Sequence, residues 1–157
     1  MKKSILAAAL AVVAGTALAA FFFSAESSVD ANGALIVAFD ERGLGNNDVS
    51  YHLTASATAV YACINNGGKH PQSLNKVGPS TLTADITNLK PKNGRIRASI
   101  TVGPPDAGSF SCPSGQDLEL ACVSYTDVLL QDLTNHIDIS PTGTPSRTFI
   151  NAKGVNC

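Results

Sequence analysis

Tryptophan is absent from this 157-residue sequence, methionine occurs once, and aromatic residues make up only 6%. Exposed flat rings for stacking on sugars or bases are therefore in short supply. Charge is sparse too, at 15% against 44% hydrophobic residues, which excludes an intrinsically disordered chain. Basic and acidic residues number 11 and 12, a formal net charge of −1, so no bulk electrostatic pull toward nucleic acid is expected. No internal repeat, linker or second domain stands out, and the length suits one compact domain.

Familiar catalytic spacings are also missing. There is no GxSxG nucleophile elbow, no GxxxxGK[ST] phosphate loop, and no HxH or HExxH pair. His52, His70 and His136 are scattered along the chain, so neither a metal nor a cofactor is expected. Asp40 and Glu41 are adjacent, which on a strand sends them to opposite faces and prevents them from acting as paired acids. The balance is against an enzyme.

What is present begins with the amino terminus. Lys2 and Lys3 precede an apolar run over residues 5–18, and Ala17-Leu18-Ala19 offers a small-x-small exit. These are the three parts of a secretory signal peptide, so residues 1–19 are read as a leader cleaved after Ala19. The competing reading is a retained anchor, because Phe21, Phe22 and Phe23 prolong the run to near membrane-spanning length. Cleavage leaves no transmembrane segment and implies a secreted, extracellular protein.

The four cysteines, Cys63, Cys112, Cys122 and Cys157, all follow the leader. An even number in an exported chain reads as two disulfides, with three pairings open. No pair has CxxC spacing, which argues against a zinc knuckle or a redox site. The working pairing is Cys63 with Cys112 and Cys122 with Cys157. It ties two strand-following loops together and anchors the carboxyl terminus.

Alternation dominates from residue 34. Leu35, Val37 and Phe39 mark one strand, and the odd positions from Val49 to Cys63 mark another, long enough to be one bent strand or two. Leu82, Ala84 and Ile86 repeat the pattern. Ile96, Ala98, Ile100 and Val102 mirror it across Asn93-Gly94, a hairpin signal. Further strands follow from Leu118 toward Leu130, at Ile137 and Ile139, and at 148–150. The expected fold is all-β: a single antiparallel β-sandwich, immunoglobulin-like in architecture, over 34–157, preceded by a flexible lead-in at 20–33. The Gly/Asn stretches at 43–47 and 65–68 read as tight turns or as a binding rim.

Three stretches, Ala38 to Asn47, Tyr61 to Gly68, and Val102-Gly103-Pro104-Pro105 leading to Ser109-Phe110-Ser111-Cys112, together resemble small exported proteins of soil bacteria that generally lack an assigned function. The resemblance implies secretion and carries no catalytic residue over to this chain.

The sharpest local feature is basic. Lys90, Lys92, Arg95 and Arg97 fall within one short stretch uninterrupted by an acid, with Arg95 and Arg97 on the same outward face. Lys69, His70 and Lys76 form a second basic candidate loop. The cluster either guards a sheet edge against pairing or contacts an anionic partner, such as an envelope polymer or an extracellular protein. Nucleic acid is disfavoured by the lack of interleaved aromatics. The functional expectation is a secreted, non-enzymatic, disulfide-stabilised sandwich acting by surface contact. The alternatives are an enzyme inhibitor presenting the loop from Gly103 to Cys112, with Phe110 as its exposed aromatic, and a small hydrolase whose site is assembled from distant loops.

Overall fold

Small and β-branched residues at every second position make extended backbone the state in which this chain can bury one apolar face. The computed structural model describes residues 19–65 and 71–157, and every regular element among them is a β-strand. In order these are β1 (Phe21–Val29), β2 (Leu35–Arg42), β3 (Val49–Asn65), β4 (Pro71–Leu89), β5 (Arg95–Val102), β6 (Gln116–Asp132), β7 (Ile137–Ile139) and β8 (Ser146–Thr148). Strands β1-β2-β5 form a three-stranded sheet. Strands β4-β3-β6-β7, with β8 beside β6, form the other, and all pairings are antiparallel.

The two sheets pack face to face as a sandwich. Leu35, Val37, Phe39, Ile96 and Ile100 of the small sheet meet Tyr51, Leu53, Ala55, Tyr125 and Leu130 of the large one. Phe39 and Tyr51 lie with ring centroids 4.6 Å apart at the centre of this core.

Two expectations are corrected. Residues 20–33 are not a flexible lead-in, because Phe21–Val29 is a strand paired with β2 along its length. A bulge between Phe22 and Ser24 shifts the inward parity, so that Phe22, Ala25 and Val29 pack on the core with no clean alternation to read. The expected leader, residues 1–19, lies outside the described residues apart from Ala19.

Nor do β4 and β5 form a hairpin. Asn93 and Gly94 do make a two-residue turn with positive φ (51° and 70°), but it closes only the Lys92–Arg95 bridge. Strand β4 pairs with β3 and β5 with β2, so the two apolar faces lie on opposing sheets and bury one another. Gly94 is required here, since a Cβ would sit 3.0 Å from the Leu44 carbonyl oxygen on a left-handed backbone.

The sheets are unequal. Strands β3, β4 and β6 have 17, 19 and 17 residues, against 8 in β2 and β5. At ~3.3 Å per residue, the large sheet overhangs its partner by roughly 30 Å. Each face of the overhang has its own cover. On one face the 103–115 loop is tied by the Cys63–Cys112 disulfide and by the Tyr61 hydroxyl, which donates to the Pro105 carbonyl at 2.7 Å. On the other, Val60, Ala62, Ile64, Ala121 and Cys122 are covered by Ile150, Val155 and Cys157 of the carboxyl-terminal tail, held by the Cys122–Cys157 disulfide. A bulge beside Ala121 lets its carbonyl accept from both Phe149 and Ile150 N–H. The pairing is the one expected from the sequence.

Both bridges close long loops, with sequence separations of 49 and 35. Replacing Cys122 and Cys157 together by serine lowers unfolding stability by about 4 kcal/mol on the chain-entropy model, read as a reduced urea midpoint. Replacing Cys63 and Cys112 has a cost of the same size.

Candidate functional site

Arg95 and Arg97 lie one pleat apart on β5, and Asp40 lies opposite Arg97 on β2. Asp40 is the hub of the outer face of the small sheet. Arg95 grips it with a fork, Nε to Oδ1 at 2.7 Å and Nη2 to Oδ2. Arg42 Nη2 reaches Oδ2 at 3.3 Å, and Arg97 Nε reaches it at 3.4 Å. Together these hold the Asp40 carboxyl far below the usual carboxylate range, with the Arg95 hydrogen bond the largest cause and burial opposing it. Three guanidinium groups around one carboxylate leave a surplus of positive charge. Arg97 carries most of it to solvent, with 69% of its side chain exposed. Arg42 also stacks over the exposed Phe23 ring, 3.5 Å from its centroid.

At the edge of β5, Lys90, Lys92, Arg95 and Arg97 line a depression of about 300 Å³. Its floor is apolar, made by Leu89, Ile96 and Ala98 where the edges of the two sheets come together. Lys90 and Lys92 are exposed and have no ion-pair partner among the described residues. The four basic residues singled out from the sequence are thus brought into one site.

Phe110 is not part of it. It is half-buried in the loop tied to Cys63, beyond the far end of β5. Lys76 pairs with Val60 in the overhang, and Lys69 and His70 lie outside the described residues.

Glu41, the neighbour of Asp40, points the other way, into the core. It is fully buried and accepts the Tyr51 hydroxyl at 2.6 Å on Oε2, while Oε1 has no hydrogen-bond partner. Asp132, also buried, sits beside it and accepts from the Thr134 and Asn135 backbone N–H groups and from Asn135 Nδ2. Burial and the neighbouring Asp132 push the Glu41 carboxyl up to about 8, with the Tyr51 hydrogen bond opposing. Glu41 is therefore a neutral acid at pH 7, and Tyr51 is raised as well, mainly by burial. Glu41, Tyr51 and Asp132 do not line the basic depression.

A second pair invisible in the sequence is His52–Asp85, with Nδ1 and Oδ1 2.6 Å apart across β3 and β4. Thirty-three positions separate the two, and only the strand register joins them. Another surface depression, about 460 Å³, lies between β8 and the tail and includes Arg147 and Cys157. It contains Cys157 but none of the basic residues singled out from the sequence, and not Phe110.

No protein-family model matches the chain, and no match is found among curated proteins or solved structures.

The two acids give opposite pH dependences. Asp40 is lowered on folding, so its contribution is present above its ordinary 3.8 and is lost as the pH falls below it. Glu41 is raised, so the folded protein holds a proton that the unfolded chain has released, and stability declines as pH climbs from 4.5 to about 8. Urea midpoints of the native protein should peak near pH 4–5. Glu41→Gln, which keeps an acceptor for Tyr51, should remove the decline on the alkaline side, gaining roughly 3–5 kcal/mol over native at pH 9 relative to pH 5.

Proposed function

We propose that this protein is an exported, disulfide-stabilised sandwich that works by surface contact rather than catalysis. Its anionic partner, at the cell envelope or in the surrounding medium, meets it at the groove beside β5. One observation carries the reading: Lys90, Lys92, Arg95 and Arg97 converge on a single depression over an apolar floor. A cationic rim attracts and orients an anionic partner, and a floor of Leu89, Ile96 and Ala98 adds burial that a solvated charge patch does not offer. The basic–apolar–small-residue amino terminus and the two disulfides support export.

Cosedimentation with purified cell walls across a salt series tests this. Arg95 organises Asp40, so the informative variant is Lys90→Ala with Lys92→Ala, which removes two unpaired charges and no internal contact. Native protein is expected to bind at low salt and release as salt rises, and the double variant to bind several-fold more weakly. Salt-insensitive binding, or none, sinks the reading.

A second reading is favoured by the double tether on the 103–112 loop, where the Cys63–Cys112 bridge and the Tyr61–Pro105 hydrogen bond hold Asp106, Gly108 and Ser109 at an exposed tip. Such a constrained segment suits an enzyme inhibitor. Titration against a panel of proteases checks it. Stoichiometric inhibition that is lost in Phe110→Ala supports the inhibitor, and full protease activity at excess protein removes it.

A further inference from the structure

Resting on the reading that the basic groove meets an anionic partner, we infer that the partner is an extended polypeptide segment with alternating acidic and apolar residues, which adds as a fourth strand to the open edge of β5.

The backbone of β5 has one side turned away from β2. Arg95 N–H and C=O both bond to Lys92, on the side of β5 away from β2. In an antiparallel strand the side alternates with each residue. Ile96, Ala98, Ile100 and Val102 therefore bond to β2, while the N–H and C=O of Arg97, Ser99 and Thr101 point to the open edge. No strand pairs there among the described residues.

The edges of the two sheets differ in how they are guarded. Strand β1 is broken by the bulge between Phe22 and Ser24. Strand β4 carries Pro71, Pro79 and three register shifts against β3. Both devices discourage pairing. Strand β5 has neither, and its register with β2 is unbroken over eight residues.

The side chains define the guest. On the outer face an added strand lies next to Arg97, Ser99 and Thr101, all exposed, beside the surplus charge around Asp40. On the inner face it lies over Leu89, Ile96 and Ala98, in the depression between the sheet edges. Successive residues of a strand alternate between these faces, so the guest that satisfies both carries acids at one parity and apolar groups at the other. Lys90 and Lys92 stand at the end where the turn already occupies the neighbouring position, and they lend further positive charge to steer the acids.

A short fluorescein-labelled peptide alternating glutamate and valine is the probe, titrated by anisotropy into the purified disulfide-bonded protein. Three comparisons accompany it: the same peptide N-methylated at alternate residues on its bonding side, a block scramble of equal composition, and the variant Ser99→Pro. Proline at position 99 removes an N–H that faces the open edge and no bond to β2. The expected result is saturable binding that weakens about ten-fold or more with the N-methylated peptide, with the scramble and in Ser99→Pro, the last with an unchanged urea midpoint. Equal binding of the methylated or scrambled peptide shows a contact made by charge alone, and overturns strand addition while leaving the basic groove as the site. Salt-sensitive binding of cell walls without binding of the alternating peptide identifies a non-peptide polymer and also overturns it. Failure of both peptide and walls removes the parent reading as well. If Ser99→Pro does not fold, the methylated peptide decides the matter.

Discussion

The inequality of the two sheets is the constraint on which the rest of the structure depends. Strands of 17 to 19 residues face strands of 8 or 9, so about half of the large sheet has no facing sheet to bury its apolar side chains. Left bare, Tyr61 and Leu120 on one face and Val60, Ala62 and Ile64 on the other would present apolar patches to water. Irregular chain covers both. A loop or a tail has few backbone hydrogen bonds to hold it in place, and each cover is fastened by one disulfide to the strand it protects. The cross-links sit where regular secondary structure cannot supply cohesion, consistent with a compartment in which thiols stay oxidised.

At the opposite pole, charge takes over the work. Adjacent acids on β2 are sorted by the pleat. Asp40 turns outward to three arginines and stays ionised, while Glu41 turns inward to Tyr51 and Asp132 and is neutral at pH 7. The outer cluster ties β2 to β5 and leaves guanidinium surplus at the surface. The inner cluster joins both sheets through a hydrogen bond from β3 to β2, at the cost of a carboxyl oxygen with no partner. The basic groove lies beside these clusters, so its arginines are held by Asp40 in fixed positions, while its lysines have no ion-pair partner among the described residues.

Much of this was legible in the residues. Alternation from Leu35 onward marked β2, β3, β5, β6 and β7, because a strand with one buried face must place apolar groups at every second position. The last strand lies at Ser146–Thr148 and not at 148–150, and the two missed stretches both belong to edge strands. Strand β1 has a bulge that breaks its parity, and the first half of β4 is an edge segment rich in polar residues, Gly78 and Pro79, tolerated because one side of its backbone faces away from the sheet. The basic stretch 90–97 was legible as a run of charge. Its apolar floor was not, since Leu89 leaves one sheet and Ile96 enters the other.

The sequence by itself determined the all-β class, the two-disulfide count, the opposite faces of Asp40 and Glu41, and the concentration of basic residues ahead of β5. Each follows from local rules of parity, composition or spacing. Tertiary structure alone decided which strands became neighbours. It turned an Asn-Gly hairpin signal into a crossing between sheets, brought His52 to Asp85 and Asp132 to Glu41, and separated Phe110 from the basic groove. The reason is that strand partners are chosen by burying whole faces against one another, a sum over many residues distant in the chain that no short motif encodes.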